Sequence, residues 1–195
     1  MTEEEILISR ADLVRFVAKS MVCDGDKPPI KYITNQLEYL IRKEIIQTAN
    51  KPTRGQALML TAFECALFLL VVNTEITNTV SLMELLSACR RGKPKEEIFE
   101  AATNSRKRTA APTLMITKLF RGENLDSKVK GAPAPVGVQL GLVIPNIGET
   151  KWTPGEDSCG TPRLGFGHVH MFDLYILLQP LRTFLGFDED EDHDV

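Results

Sequence analysis

Within PGEDSCGTPRLGFGHVH, residues 154–170, Ser158 and Cys159 share a glycine-flanked turn and His168 and His170 follow. A hydroxyl or thiol beside an imidazole is the material of acyl transfer: the histidine takes the nucleophile's proton, and neighbouring backbone N–H groups hold the oxyanion. On a strand, His168 and His170 also share a face, as two zinc ligands must, with Asp157, Cys159 or His193 as third partners. A different chemistry lies upstream. From Arg90 to Lys130 there are 11 Lys and Arg against 5 Asp and Glu, although the whole chain carries a formal net charge of −3. CRRGKPK (89–95) and NSRKR (104–108) bracket a short predicted helix, and Lys118, Arg121, Lys128 and Lys130 continue the charge. Cations grouped in this way neutralise phosphates without reading bases.

GEDSCGTP resembles the nucleophile turn of chymotrypsin-like proteases and their viral cysteine-protease relatives, and GFGHVH is similar to the strand that follows it there. The resemblance implies Ser158 or Cys159 as nucleophile, with the adjoining N–H groups as oxyanion hole. In that family the base is a histidine earlier in the chain, on a separate β-barrel. Here His168, His170 and His193 all lie downstream, and the N-terminal half reads as helices. Papain-like enzymes follow the order Cys then His, but they place the cysteine at a helix start and the histidine on a distant strand. RRGKPK lacks the Walker pattern, and GTPRLGFG is not a dinucleotide fingerprint. The sequence therefore assigns no catalytic residue, no metal site and no cofactor. A cysteine hydrolase centred on Cys159, or a zinc-binding module using His168 and His170, is the alternative.

Composition bounds either chemistry. Hydrophobic residues make up 43% and charged residues 25% of 195, as in ordinary globular proteins. Cys23, Cys65, Cys89 and Cys159 are scattered without metal-ligand spacing, which predicts reduced thiols in a cytoplasmic or nuclear setting. MTEEEILISR opens with acids where a secretory signal carries basic residues. The apolar run 57–72 contains Glu64 and falls short of the roughly 20 residues that cross a bilayer.

The elements that must position these groups change period along the chain. Ser9 with Asp12 predicts an N-cap, followed by Leu13, Val17 and Met21 on one helical face. Pro29 starts a helix with the stripe Ile30, Ile33, Leu37, Leu40, Ile41 and Ile45. Residues 55–72 read as a helix apolar almost all round, Ser81 and Glu84 as a capping box, and Pro94 as another helix start. Then TLMITKLF (113–120) is strand-like, VGVQLGLVI (136–144) alternates strictly as a strand, and HVHMFDLYILL (168–178) fits a strand or a helix.

Together these predict an α+β fold, an N-terminal helical bundle of about five helices packed with a small C-terminal antiparallel sheet. The expected organisation is a helical region 1–105, a strand- and loop-rich region 106–187 of the same domain, and an acidic tail 188–195. The expected function is that of a non-enzymatic, self-associating interaction protein, of the kind found as small virion matrix or nucleocapsid-type components. It contacts nucleic acid or an anionic membrane surface through Arg90, Arg91, Lys93, Lys95, Arg106, Lys107, Arg108, Lys118 and Arg121. The two clusters also suit a bipartite nuclear localisation signal. No small-molecule substrate is expected.

Overall fold

The computed structural model describes residues 6–21, 29–51, 53–74, 79–104, 112–121, 137–144, 148–152 and 164–187. It is an α+β protein in which the chain forms two compact units. One comprises Met1–Asn73, Glu96–Lys107 and Tyr175–Val195; the other comprises Thr74–Lys95 and Arg108–Leu174.

In the first unit, strand β1 (Leu7–Ser9) leads directly into helix α1 (Arg10–Ser20). Ser9 caps the helix as its spacing predicts: the Asp12 N–H donates to Ser9 Oγ at 3.1 Å, and the Ser9 hydroxyl donates to Asp12 Oδ2 at 2.6 Å. Leu13 and Val17 are buried, whereas Met21 is exposed, because α1 stops one residue before it. Helix α2 (Ile30–Arg42) buries Ile33, Leu37 and Leu40 and leaves Ile30 exposed at its first turn. An exposed Arg10–Glu38 ion pair of 2.7 Å links α1 to α2.

Helix α2 ends three residues short of Ile45, which the apolar stripe includes. Glu44 adopts φ 57°, its N–H donates to the Ile41 carbonyl, and the Ile45 N–H donates to the Leu40 carbonyl. This is a Schellman turn with glutamate in the left-handed position that glycine normally fills. It reverses the chain so that Ile45 and Ile46 are buried after the helix has ended.

The apolar run that follows is divided. Met59–Thr61 is strand β2, antiparallel to β1, and only Ala62–Asn73 forms helix α3. Thr61 Oγ1 accepts the Glu64 N–H at 3.2 Å and so caps α3. Every side chain from Ala62 to Val71 is buried, including Glu64, whose carboxylate accepts the Gln47 N–H at 2.9 Å. No described helix is long and apolar enough to cross a membrane.

In the second unit, helix α4 (Thr79–Cys89) packs against a four-stranded antiparallel sheet. Its strands are β3 (Thr113–Arg121), β4 (Gly137–Ile144), β5 (Gly148–Trp152) and β6 (Leu164–Asp173), in the order β5-β4-β3-β6. Ser81 is buried inside α4 rather than capping it, since the helix begins at Thr79. Helix α5 (Gly92–Thr103) follows α4, its residues from Glu96 onward belonging to the first unit, and starts two residues before Pro94, which its first turn tolerates because no N–H there has a partner within the helix.

Segment 168–178 holds both of the structures its pattern allows. It is strand up to Asp173, and helix α6 (Leu174–Phe184) begins at the next residue. Pro180 lies inside α6 and cannot donate to the carbonyl four residues earlier. The buried Arg182, two residues further on, donates from Nη2 to the Tyr175 carbonyl at 2.8 Å with its guanidinium 4.2 Å from the Tyr175 ring centre. Its Nη1 donates to the Ala101 carbonyl of α5 at 2.7 Å. Gly186, at φ 75°, closes α6 with a second Schellman turn.

Two of these turns set measurable stability. Glu44→Gly removes a left-handed strain of about 1–2 kcal/mol at some cost in chain entropy, so it raises the urea unfolding midpoint by an amount equivalent to roughly 1 kcal/mol. Arg182→Met removes the charged hydrogen bonds to the buried Ala101 carbonyl and the part-buried Tyr175 carbonyl, and lowers the same midpoint by an equivalent of about 2–4 kcal/mol.

Candidate nucleic-acid interface

Within the basic segment, Arg90 to Lys95 form the corner between α4 and α5. The Arg90 and Arg91 N–H groups donate to the Leu86 and Ala88 carbonyls, prolonging the last turn of α4. Gly92, at φ 53°, then turns the chain into α5, a backbone state that glycine adopts without steric penalty. Arg91 and Lys93 are exposed, while Arg90 and Lys95 are half-buried beside the buried Pro94. Arg90, Lys93 and Lys95 also have interactions within the chain.

The electrostatics of this corner are unequal. Arg90 and Arg91 follow the C-terminus of α4, where the helix dipole favours cations. Lys93 and Lys95 lie in the first turn of α5, where it disfavours them, and Glu96, Glu97 and Glu100 follow on the same helix. An anion placed here meets clustered positive charge beside a helix start.

The other expected contacts are dispersed or lie elsewhere. Arg106, Lys107 and Arg108 fall outside the described residues. Lys118 pairs in register with Val138, and Arg121 with Leu164.

The stretch that suggested acyl transfer is described only at its end. Ser158 and Cys159 lie outside the described residues, as does Cys23. In β6, His170 pairs with Ile116, and the register slips between Thr117 and Leu119. Thr117 pairs with Val169 and Leu119 with Phe166, so β6 has one more residue than β3 at this point, as in a β-bulge. Among the described residues no three His, Cys, Asp or Glu side chains are grouped to hold a metal.

Cys65 and Cys89 are buried free thiols. Burial pushes the Cys65 thiol up, and the Glu64 carboxylate adds to the effect. Burial pushes Cys89 up to about 12, against a smaller lowering by Arg90. Neither is a nucleophile at neutral pH, so both resist alkylation in the folded chain and react on unfolding. Protonated burial of Cys89 stabilises fully below the unfolded thiol's 9.0, and that contribution is lost as the pH rises from 9.0 towards about 12. The urea midpoint therefore falls across this alkaline window.

The first unit holds a groove that local sequence pattern does not foretell. With a volume of about 490 Å³ it runs between α1 and α6, lined by Asp12, Arg15, Phe16 and Lys19 on one side and Pro180 and Phe184 on the other. Phe16 and Phe184 stack with ring centres 5.0 Å apart. Phe16 sits within the periodic pattern of α1, but its partner lies at the far end of the chain, beyond a helix-internal proline. No family model, no curated protein and no solved structure matches this chain.

Proposed function

We propose that this chain is a non-enzymatic interaction protein that self-associates and holds a phosphate polymer, RNA or DNA, through its basic central segment. The observation that carries this reading is the α4–α5 corner, where Arg91 and Lys93 are exposed beside Arg90 and Lys95 at the start of a helix. A polymer supplies the negative charge that the first turn of α5 lacks, and the cations at 106–108 add to the attraction. The segment has Phe99 and Phe120 as its aromatic residues. Charge therefore contributes more than base stacking, and sequence discrimination is weak.

Buried, unbridged Cys65 and Cys89 support residence in a reducing compartment, the cytoplasm or nucleus. Self-association combined with unspecific phosphate binding is the pairing of properties expected of a small matrix or nucleocapsid-type component.

The test is the salt dependence of binding to a single-stranded oligonucleotide. Affinity falls steeply with added salt, and Arg91→Ala with Lys93→Ala lowers the slope of log K against log salt by about 0.7 for each phosphate that is no longer neutralised. An unchanged slope and affinity would remove the corner from the interface. Binding to anionic lipid vesicles without binding to the oligonucleotide would replace the polymer by a membrane surface.

A further inference from the structure

The groove between α1 and α6 has an apolar floor and a charged wall. The stacked Phe16 and Phe184, with Pro180, form the floor, and Phe184 remains substantially exposed. On the wall, Asp12 is paired with Arg15 at 3.1 Å, but Lys19 has no acidic partner among the described residues. The site therefore offers an apolar trough with one uncompensated cation. Because it is open along two helices rather than enclosed as a cavity, it suits a helix laid along it more than a small ligand, which needs most of its surface covered.

The other unit carries the complementary surface. On α4, Leu82, Leu85, Leu86 and Cys89 are buried at helical spacing, which leaves Val80, Met83, Glu84 and Ser87 on the opposite face. Val80 is 62% exposed and Met83 52%, so each keeps more than half of its surface in water. They stand three residues apart, one turn along the helix, and Glu84 lies four residues after Val80 on the same face. Like Lys19, Glu84 has no ionic partner among the described residues. The face thus presents two apolar knobs and one uncompensated anion.

We propose that the groove of one copy seats the Val80–Met83–Glu84 face of α4 from a second copy. Val80 and Met83 cover the Phe16, Pro180 and Phe184 floor, and Glu84 pairs with Lys19. This deepens the self-association proposed above and rests on that reading. The two surfaces differ, so the contact is head-to-tail: each copy offers one groove and one helix face, and association continues into a ring or filament instead of ending at a dimer.

Charge reversal tests the contact without touching the core. Lys19→Glu gives a copy whose groove and helix face are both acidic, and Glu84→Lys gives one whose groove and face are both basic. Sedimentation velocity of the full chain across a concentration series is expected to show each variant alone associating roughly tenfold or more weakly than wild type. An equimolar mixture regains assembly, because each variant's face then meets a groove of opposite charge. Met83→Asp, at an exposed position, weakens association in either background and is not rescued by mixing.

Each other outcome is decisive. A wild-type chain that stays monomeric throughout would overturn both this contact and the self-association reading. Wild-type assembly that the reversals leave unchanged would overturn the contact alone and leave the groove to another occupant. Weakened variants that fail to recover on mixing would show Lys19 and Glu84 acting separately, and would overturn the pairing.

Discussion

Helix α3 has no face that can tolerate water. With every side chain from Ala62 to Val71 buried, each direction outward from its axis must meet another part of the chain. At roughly 1.5–3 kcal/mol for each large apolar side chain removed from water, this is the largest concentrated gain visible in the first unit. The arrangement around it follows from satisfying such a helix at its ends. Thr61 caps the first turn, and Glu64 accepts the Gln47 N–H, placing a carboxylate where the helix dipole favours one. Gln47 reaches that position because the Glu44 turn has already folded Ile45 and Ile46 inward.

The strained Glu44 and the buried Arg182 act in the same way at different places. Each lies where a helix ends or holds a proline, and each ties a further segment to the core. Glu44 accepts left-handed backbone strain to bury two isoleucines. Arg182 uses one guanidinium to tie the Pro180 turn of α6 to a carbonyl of α5. A buried cation is thus held by two carbonyl acceptors with an aromatic ring beneath it.

What was legible in sequence was what depends on near neighbours. The Ser9 cap, the Ile33, Leu37 and Leu40 part of the α2 stripe and the strands β3 and β4 each need only a few adjacent residues, and all three are present. Three features were hidden because distant contacts decide them. Residues 59–61 belong to an apolar run that fits a helix equally well, and only pairing with β1 makes them a strand. The junction at Asp173 and Leu174 divides a segment whose period satisfies both structures. Helix α6 runs through Pro180, which local propensity disfavours. The basic corner was legible as composition, since it needs no tertiary contact to place Arg90 to Lys95 together. The α1–α6 groove was not, because Phe16 and Phe184 meet only once the chain has folded.

In the proposed assembly, α4 carries both activities. The Val80–Met83–Glu84 face lies towards its start and the Arg90–Arg91 corner just past its end, about 16 Å apart at 1.5 Å per residue from Val80 to Arg91. A head-to-tail array therefore repeats the corner once per copy. A polymer bound to one corner then meets the next at high effective concentration, so modest affinity per copy becomes strong binding by the array. The coupling is reciprocal: a polymer that prefers adjacent corners favours the associated chain over the monomer by mass action. Salt opposes both steps, because it screens the exposed Lys19–Glu84 pair and weakens the phosphate contacts. Assembly and polymer binding then disappear together over a narrower range of ionic strength than either would show alone.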